Sequence, residues 1–300
     1  MSTQSVLYDA PGPKAKVRNA VYSVIFVLVL LAAAWFVYDG FAQKGQWAAA
    51  LWTPFTEGST WTQFLLPGLV NTLQAAALSI VIALPVGALL GIARLSDHKW
   101  IRVPASVVVE FFRAIPVLML MVFAATFYSY YTGISSDARP LFAAVTGLVL
   151  YNGSVLAEVF RAGILALPKG QGEAASALGL RKSQVLVSIL LPQAVTLMLP
   201  AIVSQLVVVL KDTALAGQLT IGYTELIRTS GTITANFHNT IPTLIVVALI
   251  YIALNLLLSA FASWLERRLS RRRKAPRATG GAGGPAVPHI ATDLDTGRAA

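Results

Sequence analysis

Long apolar stretches alternate with short polar ones along most of this 300-residue chain. A helix that crosses the hydrocarbon core of a bilayer needs about 20 mostly apolar residues. Six stretches are long enough, and they predict transmembrane helices at residues 20–38, 64–95, 104–131, 141–167, 194–214 and 241–265. Pro67 and Pro85 lie inside the second stretch and predict breaks in its helix. The pattern therefore predicts an all-α integral membrane protein with six transmembrane helices.

The amino-acid composition also indicates a membrane protein. Hydrophobic residues make up 56% of the chain and charged residues 12%, whereas a soluble domain carries about 25% charged residues. The chain has no cysteine, which excludes disulfides, thiolate metal sites and a cysteine nucleophile. The net charge of +10 does not indicate nucleic-acid binding, because the lysines and arginines lie at the ends of apolar stretches and in the tail.

Basic residues also predict the orientation. Loops on one side of the predicted membrane carry most of them: Lys14, Lys16 and Arg18; Arg94, Lys99, Arg102 and Arg113; Lys169, Arg181 and Lys182; and the run 267–274. The loops on the other side carry few: Lys44, Arg139, Lys211 and Arg228. By the positive-inside rule, both termini and the loop at 168–192 are expected to be cytoplasmic.

The two ends of the chain differ from its centre. Residues 1–19 are predicted to be a cytoplasmic segment before the first helix at 20–38. A cleaved signal peptide is the alternative, with Ala32–Ala34 as the small-residue site, but the apolar run continues to Val37 and favours a retained helix. Residues 266–300 are predicted to be a basic, disordered tail, whose first residues would contact anionic lipid.

Residues 168–192 carry a spaced motif between the fourth and fifth predicted helices. The sequence Glu-Ala-Ala is followed by three residues and a glycine, and then by nine further residues and Ile-x-Leu-Pro. This spacing resembles the cytoplasmic coupling loop of ABC importer permease subunits. The resemblance implies that an ATPase contacts Glu173, Ala174, Ala175, Gly179, Ile189, Leu191 and Pro192.

The local chemistry of this segment predicts two short helices. Pro168 is expected to end the fourth transmembrane helix, and residues 170–172 to form a flexible Gly-Gln-Gly turn. Glu173 would lie in the first turn of a short helix, which Gly179 would end. Ser183 would cap a second short helix that runs to Leu191, and Pro192 would stop it.

Further segments extend the resemblance to the polar amino acid permeases over residues 64–265. They are residues 71–94, 110–116, 151–164 and 211–215, and the pair Glu225-Leu226. The chain departs from the family pattern at Ala114-Ile115, where Gly-Thr is usual, and at Ala214, where Ser is usual. Among these permeases the chain most resembles the glutamate permeases of actinobacteria. The resemblance implies one N-terminal helix plus a five-helix permease core.

The resemblance also implies a mechanism and partners. It implies a non-catalytic, multi-pass subunit of a bacterial cell membrane, which imports a polar amino acid such as glutamate. A separate ATPase dimer would hold ATP and Mg, a second permease chain would complete the pore, and an extracytoplasmic binding protein would deliver the substrate. The chain itself has no G-x4-G-K-[ST] phosphate loop and is expected to bind no cofactor or metal.

Charged and polar residues inside the predicted helices are candidates for the substrate pathway. Glu158 and Arg161 are three residues apart and are expected to pair, as are Glu110 and Arg113. Either pair would serve transport or hold the adjacent loop in place. An amino acid carries a carboxylate and an ammonium group, which suit Lys211, Asp212 and Thr213. The alternative for these three is a Lys–Asp pair at the membrane interface. The pathway candidates are Lys211, Asp212, Thr213, Glu158, Arg161 and Arg113.

Two other function classes are less consistent with the sequence. A self-sufficient secondary transporter or channel would show internal repeats, and it would leave the motif at 168–192 unexplained. A membrane enzyme would need a nucleophile motif or a metal site. The three histidines, His98, His238 and His289, have no metal-ligand spacing, and no G-x-S-x-G motif is present.

Overall fold

The computed structural model describes residues 12–218 and 222–271, and every regular element in these ranges is helical. The main helices are α1 (Pro13–Gln43), α2 (Leu66–Ala93), α3 (Lys99–Ala114), α4 (Val117–Tyr131), α5 (Arg139–Leu165), α6 (Lys169–Ala177), α7 (Leu191–Gly217), α8 (Leu226–Phe237) and α9 (Thr240–Arg271). Short helical turns at Gly58–Thr60 and Trp61–Leu65 lead into α2, and turns at Lys182–Gln184 and Val185–Leu190 lead into α7. The predicted segment 1–19 is described only from residue 12, and the predicted tail only to residue 271.

Five helical stretches are long and apolar enough to cross a membrane, and α3 with α4 makes a sixth if the pair is one broken span. The all-α membrane fold is thus confirmed, but the third predicted helix is not one rod. The chain bends by 102° between α3 and α4. Ile115 has an extended backbone (φ −90°, ψ 130°) because the ring of Pro116 disfavours the helical conformation in the residue before it.

Prolines interrupt the other helices less than their positions predict. Pro67 follows the helical turn at Trp61–Leu65 and Pro85 lies inside α2, yet the chain is helical from Gly58 to Ala93. The predicted breaks at these two residues are therefore wrong. Pro192 lies in the first turn of its helix, and the chain is helical from Lys182 to Gly217. The prediction that Pro192 stops the second short helix is wrong for the same reason.

Helix α5 is the centre of the bundle and packs against α2, α4 and α7. Two glycines let α2 approach α5 closely. A Cβ atom added at Gly91 would lie 2.7 Å from the Ala157 carbonyl oxygen, and one added at Gly87 would lie 2.6 Å from Leu156 Cβ. Small residues at such positions let membrane helices pack with their backbones in contact. Helix α1 has no buried residue, as expected for a helix outside the core.

We call the end of the bundle that carries Arg94, Glu158 and residues 168–192 the loop end. The opposite end, which carries Gly217 and Glu225, is the far end. At the far end the buried Glu225 carboxylate caps α8 by accepting hydrogen bonds from the backbone N–H groups of Ile227 and Arg228, both at 2.7 Å. Tyr251 of α9 donates a third bond to it at 2.8 Å. One carboxylate therefore joins α8 to α9.

Candidate functional site

The segment at 168–192 folds as a short helix, a glycine turn and a second helix that continues into the bundle. Gly179 follows α6 with φ +78°, a left-handed conformation that favours glycine. The N–H of Gly179 donates to the Ser176 carbonyl at 3.0 Å, and the N–H of Leu180 donates to the Ala175 carbonyl at 3.2 Å. These two bonds form a Schellman motif. The prediction that Gly179 ends this helix is confirmed.

The helix boundaries nevertheless correct several predictions. Gly170 and Gly172 lie inside α6, which begins at Lys169, so the predicted flexible turn at 170–172 is wrong. Glu173 consequently lies beyond the first turn, where the N-terminal dipole acts weakly. Arg181, not Ser183, precedes the second helix, and its backbone N–H donates to the Gln184 side chain at 2.9 Å. Each predicted helix start is therefore a few residues away from the observed one.

The predicted ATPase-contacting residues divide into an exposed and an inward-facing group. Glu173, Ala174 and Gly179 are exposed, and Pro192 is exposed on the second helix. Ala175 is buried, whereas Ile189 and Leu191 are half-buried. Leu191 packs against a core cluster of α5 and α7 that includes Phe160 and Met198. Leu178 follows the last residue of α6, and its large apolar side chain is 82% exposed.

Five charged residues form an ion cluster at the loop end: Arg94, Glu110, Arg113, Glu158 and Arg161. The Glu158 carboxylate is its centre. It lies 2.6 Å from a guanidinium nitrogen of Arg94, 2.9 Å from one of Arg161 and 3.8 Å from one of Arg113. Arg94 also reaches Glu110 at 3.4 Å. The cluster therefore joins the end of α2 to both α3 and α5.

The cluster confirms one predicted ion pair and corrects the other. Glu158 and Arg161 pair as their spacing predicts. The expected pairing of Glu110 with Arg113 is wrong, because in the described chain Glu110 contacts Arg94 and Arg113 contacts Glu158. Both side chains turn toward neighbouring helices, where the Arg94 side chain is only 8% exposed and needs carboxylate partners.

A second ion pair ties the 168–192 segment to the loop between α2 and α3. The Lys182 ammonium contacts the Asp97 carboxylate. The hydrogen bond from Lys182 lowers the pKa of Asp97 below its usual value, with smaller contributions from the charges of Lys182, His98 and Arg102. Both side chains are mostly exposed, so this pair positions the segment more than it stabilises the fold.

Polar side chains also meet inside the bundle, between α5 and α7. Asn152 is fully buried, and its side-chain oxygen accepts a hydrogen bond from the Gln205 amide at 2.6 Å. The Asn152 side chain also lies close enough to interact with Asp212. Gln205 and Asp212 are seven residues apart and share one face of α7. These three residues form a polar group, which we call the Asn152 group.

The other two candidates near Asp212 do not join the Asn152 group. Lys211 is exposed on a neighbouring face of α7, and in the described chain it forms no ion pair with Asp212. Thr213 is buried, donates to the Leu210 carbonyl at 2.7 Å and lies near Tyr251. The structure therefore separates Lys211, Asp212 and Thr213 onto different faces of one helix.

Sequence reasoning missed four residues of these sites: Arg94, Asp97, Asn152 and Gln205. Arg94 looked like one more basic residue beside a membrane helix, and its partner Glu158 is 64 positions away. Asn152 and Gln205 are single amides inside apolar stretches. An uncharged polar residue in a transmembrane stretch was a usable signal, since such groups need partners in the membrane.

Comparison with known proteins agrees with this architecture. Residues 83–271 match the family described as binding-protein-dependent transport system inner membrane component. The chain is 49% identical over 231 residues to the glutamate transport system permease protein GluD of Corynebacterium glutamicum, which covers 77% of this chain and 84% of that protein. It is 35% identical over 209 residues to the probable glutamine ABC transporter permease protein GlnP of Bacillus subtilis, which covers 68% and 93%.

A solved structure is similar as well. The chain superposes on a chain from the crystal structure of an amino acid ABC transporter with histidines, at a TM-score of 0.60 and 28% identity, covering 69% of this chain and 95% of that one. Membership of this family decides against a self-sufficient secondary transporter and against a membrane enzyme. The chain belongs to the binding-protein-dependent transport system inner membrane components, and it is a multi-pass, non-catalytic permease subunit of a bacterial amino-acid ABC importer.

Proposed function

We propose that this permease subunit imports glutamate. The observation that carries the proposal is the 49% identity to GluD, whose name assigns it to glutamate transport. The test is uptake of labelled glutamate by proteoliposomes that contain the chain with its partner subunits and ATP. Glutamate uptake that unlabelled glutamate blocks far better than unlabelled glutamine supports the proposal. Preferential uptake of glutamine would reassign the substrate and leave the permease role intact.

We infer that the loop end faces the cytoplasm and both termini lie on that side. The basic residues at the ends of the apolar stretches support this orientation through the positive-inside rule. An ATPase dimer with bound ATP and Mg would then reach α6, and an extracytoplasmic binding protein would reach the far end. A second permease chain, identical or a sister, would complete the pore by two-fold or pseudo-two-fold symmetry.

The geometry of α6 suits it to receive an ATPase subunit. Its exposed side offers small residues for close approach, the Glu173 carboxylate for a basic partner and the exposed Leu178 as an apolar anchor. Two contacts would transmit motion of α6 to the bundle. The half-buried Leu191 packs against the core cluster, and Lys182 pairs with Asp97 in the loop between α2 and α3.

Replacing Gly179 by alanine is expected to weaken coupling about tenfold or more while the bundle stays folded. An alanine with φ near +78° costs about 1–2 kcal/mol, so the turn that presents α6 would shift. The measurement is ATPase activity stimulated by the binding protein in the reconstituted complex. The control is Gly172→Ala, a helical glycine in α6 with no atom within 4 Å of the added Cβ. Equal stimulated activity in both variants would contradict the coupling role of this turn.

We propose that the Asn152 group and Lys211 form the substrate pathway through this chain. The Asp212 carboxylate suits the ammonium group of an amino acid, and the Asn152 and Gln205 amides suit either end. Lys211 would meet a substrate carboxylate where its exposed face of α7 borders the second permease chain. Thr213 lies near Tyr251 of α9, and its proposed role is to fix the position of the helical turn of α7 that carries Asp212. For Glu158, Arg161 and Arg113, the ion cluster favours a structural role at the loop end.

Asp212→Asn and Lys211→Ala are each expected to raise the KM for glutamate uptake about tenfold. A hydrogen bond to a charged group contributes about 1.5–3 kcal/mol, so its loss weakens substrate binding by at least that factor. Uptake at varied glutamate concentration measures the effect. Lys44→Ala removes an exposed cation outside the bundle and serves as the control. A KM unchanged at normal expression would remove that residue from the pathway.

A further inference from the structure

Helix α3 carries bulky apolar side chains that no part of the described chain covers. Trp100 is 74% exposed, and three further side chains are more than half exposed. The four are Trp100, Val103, Val107 and Phe111. Their spacing of three, four and four residues places them along one stripe of the helix. Ala105 and Val109 of the same helix are buried, so α3 packs on the bundle with another face.

The bend between α3 and α4 makes α3 unsuitable as part of a straight span. The two axes differ by 102°, which is within about 12° of a right angle. If α4 lies along the membrane normal, the 102° bend places α3 close to the membrane plane. Its 16 residues end at the ion cluster through Glu110 and Arg113, which places α3 at the loop end of the bundle.

Two cations lie on one side of the stripe, on the same face of α3 as Glu110 and Arg113. Lys99 and Arg102 are exposed, and within the described chain no carboxylate lies within ion-pair distance of either. Arg102 contributes only a weak attraction to Asp97. A helix with an apolar stripe, a tryptophan and exposed cations beside it has the pattern of helices that lie in a membrane interface. Its charge is complementary to anionic lipid headgroups.

The composition of the stripe distinguishes lipid from a second permease chain as its partner. Contacts between membrane helices favour small residues, as the contact of α2 with α5 through Gly87 and Gly91 illustrates. The stripe contains one tryptophan, one phenylalanine and two valines, and none of its members is small. Bulky, irregular side chains of this kind pack well against acyl chains.

We propose that α3 lies in the membrane interface at the loop end and binds an anionic phospholipid. Lys99 and Arg102 contact the phosphate, Trp100 lies at the headgroup level, and Val103, Val107 and Phe111 contact the acyl chains. Because Glu110 and Arg113 extend from the same helix, the bound lipid holds α3 where these two residues complete the ion cluster.

The absence of cysteine from the chain allows a clean test of what covers the stripe. Val103→Cys and Ser106→Cys, each with a nitroxide label, are compared in the full chain in vesicles of phosphatidylcholine and phosphatidylglycerol. The label at 103 is expected to be accessible to oxygen and shielded from a water-soluble nickel chelate, and the label at 106 to show higher chelate access. Chelate access at 103, or shielding from both reagents, overturns the proposal; shielding from both indicates a second permease chain.

Retention of phosphatidylglycerol by the purified chain tests the headgroup contact independently. Native mass spectrometry is expected to show about fivefold weaker retention for Lys99→Gln and for Arg102→Gln, since each cation near a lipid surface contributes about 1 kcal/mol. Lys169→Gln, an exposed cation at the same end without an apolar stripe, is the control and is expected to retain the lipid. Equal retention in all variants, or equal binding of phosphatidylcholine and phosphatidylglycerol by the wild type, overturns the proposal.

Discussion

Gly217→Ala is expected to disrupt the far end of the bundle. The added Cβ would lie 1.7 Å from the Glu225 Oε1 atom and 3.0 Å from the Arg228 backbone nitrogen, so it displaces the carboxylate that caps α8. Glu225 is fully buried, and a buried carboxylate without its hydrogen bonds costs several kcal/mol. We expect the amides of Ile227 and Arg228 to exchange about 100-fold faster with solvent deuterium, or the chain to fail to fold.

A second glycine in the same region gives the matched control. Gly231 lies inside α8, and a Cβ added there meets no atom within 4 Å. Gly231→Ala should therefore leave the exchange of the capped amides unchanged, or slow it slightly, because alanine favours helix by about 1 kcal/mol over glycine. If Gly217→Ala exchanged as slowly as Gly231→Ala, the Glu225 cap would not hold α8 in place.

Glu158→Ala is expected to destabilise the loop end by about 1–3 kcal/mol. Three guanidinium groups would lose their shared carboxylate, and the buried Arg94 would keep only Glu110, at 3.4 Å. The cost comes mainly from Arg94, a desolvated charge that would lose its shorter carboxylate contact, because Arg113 and Arg161 are partly exposed to solvent. Thermal unfolding of the purified chain in detergent measures the loss.

The exposed pair of Lys182 with Asp97 at the same end provides a control variant. Asp97→Asn removes the carboxylate partner of Lys182, but both side chains are mostly exposed and water replaces the lost contact. We expect little change in unfolding temperature for this variant. A Glu158→Ala protein as stable as Asp97→Asn would mean that water or lipid, and not Glu158, compensates the charge of Arg94.

A carboxylate joins neighbouring helices at each end of the bundle. At the far end Glu225 joins α8 to α9, and at the loop end Glu158 joins α2, α3 and α5. The ion cluster holds the ends of α2, α3 and α5 together, and the Lys182–Asp97 pair connects the segment at 168–192 to the loop between α2 and α3.

The sequence by itself determined what depends on near neighbours in the chain. Apolar length predicted the membrane helices, because crossing the bilayer requires about 20 apolar residues in succession. The glycine after α6 predicted its end, because a positive φ is a property of one residue. The pair of Glu158 with Arg161 followed from their spacing on one helix. The motif at 168–192 indicated the family, since its residues lie within one short segment.

Only the tertiary structure decided what depends on contacts between distant segments. The sequence predicted one helix at 104–131, whereas the structure bends by 102° at the extended Ile115, just before Pro116. Pro85 and Pro192 did not break their helices: α2 continues past Pro85 to Ala93, and the chain is helical from Lys182 to Gly217. Arg94 pairs with Glu158 across 64 positions, and Asn152 with Gln205 across 53. Such pairs form because a polar group buried in an apolar bundle takes whichever partner the packing brings near, and no local pattern specifies that partner.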